Sequence, residues 1–141
     1  MSHFVLDASV ALSWCFEDEA NTYADRILDL LAHGAEAQAP AIWPPEIYNS
    51  LLTAERRKRI TAAESANWLN KITALKISIG APLNFREAGD ILSIAREYGL
   101  SMYDASYVEL ARRAALPLAT IDRKLDAAAR KSGISTAVKD R

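Results

Sequence analysis

The chain has 141 residues, with 17 Lys or Arg against 18 Asp or Glu, a formal net charge of -1 and a 50% apolar composition. A single domain of this length buries roughly 68–70% of the surface its unfolded form exposes, so it needs neither disulfides nor a structural metal. Cys15 is the only cysteine, which excludes an intrachain disulfide and the Cys-based zinc patterns, and no run approaches the ~20 apolar residues of a membrane span.

The first apolar run, His3 to Leu6, ends in Asp7 and reads as a strand, with Ser9 expected to cap a short helix through Trp14 and Cys15. Lacking a basic start and a small-residue cleavage site, this run is not a signal peptide, and a cytoplasmic location without membrane contact is expected. Apolar positions from Asn21 to Leu31 fit a helical stripe that Gly34 stops, and Glu36 to Ala39 reads as a second strand. Pro44 and Pro45 open a helix expected to run to the basic end Arg56-Arg57-Lys58-Arg59.

Thr61 with Glu64, and Asn84 with Glu87, have capping-box spacing and start two further helices, with the weakly alternating Lys76 to Ile79 between them. Gly99 stands where a left-handed residue ends a helix, and Ser101 caps the next one, Met102 to Ala114. Leu116 to Ile121 reads as a strand, Asp122 begins a helix that stops before Gly133, and a short strand is expected at Ile134 to Val138. Strands alternating with helices imply an α/β sandwich around a mainly parallel sheet. Ligands in such sheets sit beyond the carboxyl ends of the strands, where Asp7 and Asp122 both fall.

The charge is unevenly distributed. Residues 1–70 carry 5 basic and 10 acidic residues, whereas residues 110–141 carry 8 basic and 3 acidic. A basic C-terminal third suits a polyanion, although a solvated charged surface explains it equally well.

Four acids adjoin apolar residues: Asp7 in VLDASV, Glu46 in PPEIYNSL, Asp104 in SMYDASYVELA and Asp122 in LATIDRKL. Taken singly each has an ordinary structural explanation, above all Glu46 and Asp104, because acids are favoured in first helical turns. Taken together they do not, since two carboxylates ~4 Å apart repel by about 4 kcal/mol at an effective dielectric near 20. A hard divalent cation neutralises such a cluster, and it activates water and stabilises the oxygens of a phosphodiester in displacement.

These four motifs, in this order and across nearly the whole chain, resemble a PIN-domain ribonuclease, and within that family the VapC-like toxins of bacterial toxin–antitoxin pairs. The resemblance implies a PIN-like three-layer sandwich over residues 1–141 and a metal-dependent endoribonuclease. Asp7, Glu46, Asp104 and Asp122 would form the Mg2+ or Mn2+ site, with Ser9, Asn49 and Thr120 as polar support. It also implies a homodimer, an RNA substrate and a small VapB-like cognate antitoxin. Arg112, Arg113, Arg123 and Lys124 are available for phosphate contact.

Asp126, one turn after Asp122, reads better as a solvated helix residue than as part of the site. His3 and His33 have no ligand-spaced partners, Cys15 suits a small buried position, and Trp14, Trp43, Trp68, Tyr103 and Tyr107 are expected mainly in the core. Two other readings compete. A phosphotransferase with Asp7 as nucleophile is disfavoured because Ser9 stands where haloacid-dehalogenase-type phosphatases place a second Asp. A non-catalytic protein- or RNA-binding α/β module would use the same acids only as caps and surface charge.

Overall fold

The computed structural model describes residues 2–138. Its elements run β1 (His3–Leu6), α1 (Ala8–Cys15), a 3-10 turn (Glu17–Glu19), α2 (Thr22–Ala32), β2 (Glu36–Ala39), α3 (Trp43–Arg56), α4 (Ala62–Thr73), β3 (Ile77–Ile79), α5 (Phe85–Tyr98), α6 (Met102–Ala114), β4 (Leu118–Ala119) and α7 (Arg123–Lys131). The four strands form one parallel sheet in the order β3-β2-β1-β4.

Phe4, Val5 and Leu6 are each at most 1% exposed. Successive side chains of a strand point to opposite faces, so helices must cover both sides of β1, and the expected three layers follow. Helix α6 packs along β1 and β4 with α5 and α7 against it, while α1 packs on α2 and α3.

The capping signals act as their chemistry requires. Thr61 and Glu64 close one reciprocal capping box at the start of α4, and Asn84 and Glu87 close another at the start of α5. Gly99 ends α5 with φ 64, a left-handed conformation a glycine adopts without a Cβ clash. Ala115 ends α6 in the same region, with φ 54, although it carries a Cβ.

Several boundaries depart from expectation. Ser9 does not cap α1: Asp7 occupies the cap position without a side-chain cap bond, and Ser9 turns its hydroxyl to Asp7 instead. The helix opened by the two prolines ends at Arg56, because Lys58 takes a left-handed φ of 59 and breaks it. Of the strand expected over 116–121 only Leu118 and Ala119 pair with β1, and the expected strand at 134–138 is a single parallel bridge between Leu118 and Thr136.

The order of the sheet positions the site. The chain builds outward on one side of β1 to reach β3, then crosses back to lay β4 on the other side. The direction of winding therefore reverses between β1 and β4, and in doubly wound sheets a crevice opens at that point beyond the carboxyl ends. Asp7 follows β1 immediately, and Asp122 follows β4 after two residues.

Candidate active site

Asp7 is anchored from the neighbouring strand β4 and from α1. Its N–H donates to the Ala119 carbonyl at 3.0 Å, which ties the residue to the end of β4. The side chain is only 5% exposed, and its Oδ2 accepts from the hydroxyls of Ser9 at 2.6 Å and Thr120 at 2.7 Å. Thr120 in turn accepts from the Asp122 N–H at 3.0 Å, so one hydroxyl joins the two strand-end acids. Burial pushes the Asp7 carboxyl above the usual carboxylate range, against the two hydroxyl bonds, and the negative charges of Asp104 and Asp122 push it further.

Glu46 stands in the first turn of α3, behind the two prolines. Tyr107 of α6, wholly buried, donates its hydroxyl to Glu46 Oε1 at 2.7 Å and accepts a long bond from the Ala8 N–H at 3.4 Å. Burial raises the Glu46 carboxyl above its ordinary value; the Tyr107 bond opposes this, while Asp7 and Asp104 add to it. The same burial, with Asp7 and Glu46 nearby, holds the Tyr107 phenol firmly protonated.

Asp104 occupies the first turn of α6, where Ser101 caps its N–H at 3.0 Å and thereby spares its carboxylate that duty. A helix N-terminus stabilises a carboxylate, yet the Asp104 carboxyl is raised, first by burial and then by Asp122, with Lys124 opposing. Asp122 caps α7 by accepting from the Leu125 N–H at 3.1 Å through Oδ1.

The mutual influence of these charges places all four acids in one electrostatic neighbourhood at the sheet's switch point. Among the described residues none of them forms an ion pair with a lysine or arginine. Among the described residues each also keeps an oxygen without a donor: Asp7 Oδ1, Glu46 Oε2, Asp122 Oδ2 and both oxygens of Asp104. Hard oxygens without a hydrogen-bond partner fit a hard divalent cation in kind. Among the described residues no three such side chains stand closely enough to hold an ion as they are.

The remaining candidates divide. Ser9 and Thr120 lie at the site. Asn49 is exposed on α3, has no hydrogen bond to the acids among the described residues, and lines a groove with Tyr48, Leu52 and Leu69 between α3 and α4. Asp126 is engaged elsewhere, with Arg130 and with the Thr136 hydroxyl at 3.0 Å. Arg59 is held by Asp18 and Glu19 and lies over the Phe16 ring, so this member of the basic run is a structural tie between α3 and the 3-10 turn. Trp43, Trp68 and Tyr107 are in the core, but Tyr103 is 61% exposed beside Asp104. Cys15 is partly buried rather than enclosed. Tyr107, expected simply in the core, also holds Glu46, and its place one helical turn after Asp104 is the signal for that role in the sequence.

The sheet order, the strand-end acids and the acids in the first turns of α3 and α6 together define a class of protein. The PIN domain family matches residues 4–131, and the chain belongs to that family. Among curated proteins, Ribonuclease VapC3 of Pyrobaculum aerophilum is 28% identical over 125 residues, covering 86% of this chain and 90% of that protein. Two solved structures share the fold. PAE2754 from Pyrobaculum aerophilum superposes with a TM-score of 0.69 at 22% identity, covering 90% of this chain and 84% of that one. VapBC2 from Rickettsia felis, solved bound to a DNA fragment from their promoter, gives 0.65 at 13% identity, covering 96% and 97%.

Proposed function

We propose that this chain, as one PIN-like domain over residues 1–141, is a divalent-metal-dependent endoribonuclease and the toxin of a toxin–antitoxin pair. The observation that carries the reading is the cluster of four carboxylates, three of them raised by burial and by one another, with Lys124 opposing only at Asp104 and no lysine or arginine in ion-pair contact with any of them among the described residues. Family membership and the ribonuclease name of the 28% identical relative support the same reading. A structural role alone does not account for the cluster, because buried charges without partners cost stability unless a ligand neutralises them.

Asp7, Glu46, Asp104 and Asp122 would hold Mg2+ or Mn2+, which when bound supplies positive charge at the scissile phosphate and an activated water. The protein's own groups set the geometry. Ser9 and Thr120 fix Asp7 Oδ2, Tyr107 fixes Glu46, and the α7 cap fixes one oxygen of Asp122. Asp104, with neither oxygen held among the described residues, is the acid most able to swing towards an incoming cation.

The reading includes a cytoplasmic homodimer and a small VapB-like antitoxin as partner. Exposed Tyr48 and Leu52 on α3, and Leu83 and the 98% exposed Phe85 at the start of α5, are apolar surface that partner chains would cover. No helix among the described residues is long and apolar enough to cross a membrane.

The test is cleavage of total cellular RNA by the purified protein with Mg2+ or Mn2+, with EDTA and Asp104→Asn as controls. Discrete products absent from both controls are expected. Absence of cleavage by folded, antitoxin-free protein would overturn the nuclease reading.

A further inference from the structure

A second feature adjoins the acids without being part of them. A cavity of about 430 Å3 lies between α2 and α7. That volume falls within the roughly 300–1,000 Å3 of ligand pockets, towards the small end, and suits one nucleotide rather than a duplex. One of its walls is Thr120, whose hydroxyl holds Asp7, so the cavity borders the site where the phosphodiester would react.

The lining divides by chemistry. Ile121 and Tyr23 supply apolar surface, with the Tyr23 hydroxyl fixed by donation to the Ala137 carbonyl at 2.6 Å. Asp126 and Arg130 form an ion pair on the wall, steadied by the Thr136 hydroxyl, and present an acceptor beside a donor. Arg123 differs from both: it is exposed, lines the cavity, and has no hydrogen bond or ion pair among the described residues. A guanidinium without a partner at the rim, an apolar wall and an acceptor–donor pair inside are the contacts a nucleotide asks for at its phosphate, base face and base edge.

We propose that this cavity receives one nucleotide of the single-stranded RNA substrate next to the scissile phosphate, with Arg123 on the phosphate and the Asp126–Arg130 pair on the base edge. The inference rests on the ribonuclease reading and adds the place where that enzyme would read its substrate. Sequence preference at the nucleotide flanking the cut then comes from α7 rather than from the metal site.

The experiment compares wild type, Arg123→Ala, Arg130→Ala and Arg96→Ala, the last removing an exposed charge on α5 remote from the cavity. A pool of single-stranded RNA oligonucleotides randomised around the cut is digested with Mn2+, and the products are sequenced. Arg123→Ala is expected to raise KM about five- to tenfold and to lower the slope of log KM against log salt by about 0.7, the loss of one phosphate contact to a single strand. Arg130→Ala is expected to change which nucleotide flanks the cut, a readout that lost stability alone does not move. Arg96→Ala is expected to match wild type in both.

If wild type cleaves and Asp104→Asn does not, the ribonuclease reading stands and the variants decide the inference. Arg123→Ala and Arg130→Ala that behave as Arg96→Ala does would then overturn the subsite alone. No metal-dependent cleavage by wild type would overturn the ribonuclease reading and the subsite together.

Discussion

Tyr107→Phe isolates the role of one hydroxyl in the site. The change keeps the buried ring and removes a donor 2.7 Å from Glu46 Oε1 and an acceptor 3.4 Å from the Ala8 N–H. A hydrogen bond to a charged group contributes about 1.5–3 kcal/mol, but water can reach half-buried Glu46 and replace part of it, while the bond to Ala8 is long enough to count for little. The expected net loss of stability is about 1 kcal/mol, or about 3 °C in Tm for a domain of this size. A protein stable by about 5 kcal/mol or more remains over 99% folded after such a loss, so stability alone predicts unchanged activity.

The positioning role predicts otherwise. Groups that orient metal-binding side chains typically change metal affinity or activity by about 10–100-fold when removed. Tyr107→Phe should therefore raise the Mg2+ concentration for half-maximal cleavage by about tenfold or more, and should weaken the Mg2+-induced rise in Tm, which reports binding without turnover. Adding Glu46→Gln should produce no further loss beyond Glu46→Gln alone, because both changes act through one carboxylate. A Tyr107→Phe enzyme with wild-type Mg2+ dependence in both assays would refute the assignment.

Asp7→Asn should abolish cleavage yet raise the Tm measured in EDTA, since it removes a buried charge while keeping an oxygen for Ser9 and Thr120; a lower Tm would mean that the ionised acid is structural. The carboxyls of Asp7, Glu46 and Asp104 are raised in the fold, so their contribution is fully present below the unfolded values of 3.8 to 4.5 and is lost as pH rises through the folded values. Melting in EDTA should accordingly show a lower Tm at pH 8 than at pH 5, with Mg2+ stabilising more at the higher pH, and an unchanged profile in Asp7→Asn would contradict this. Ser101→Ala removes the α6 cap and should cost about 1 kcal/mol in chemical denaturation, with reduced cleavage because Asp104 sits on that turn. Ala115→Gly should stabilise the protein by about 1 kcal/mol, because a left-handed residue with a Cβ is strained where glycine is not; a Tm at or below wild type would show that the strain is absent.

The helices were largely legible from the sequence because their signals are local. Thr61 and Glu64, Asn84 and Glu87, Gly99, and Ser101 each act on backbone groups within a few residues, so spacing alone specified where α4, α5 and α6 begin or end. The family was legible for a related reason: each of the four acids lies beside an apolar run that fixes its place at a strand end or in a first helical turn. The strands were read less well. Residues 116–121 and 134–138 carry apolar character suited to pairing, but pairing depends on what lies alongside, and only Leu118 and Ala119 meet β1 as a strand.

What only the tertiary structure decided is which side chains meet. Tyr107 reaches Glu46 across 61 positions and Thr120 reaches Asp7 across 113, contacts that exist because α6 packs along β1 and β4 lies beside it. Local spacing carries no information about such distances, which is why it points to Ser9 as a helix cap where the fold turns that hydroxyl to Asp7. The sequence by itself determined the alphabet of the site, carboxylates at strand ends and helix starts, since residue type and local capping are properties of short segments. The reversal of winding between β1 and β4 decided that Asp7 and Asp122 leave neighbouring strands at the same sheet edge, and packing around that edge decided which hydroxyls hold them.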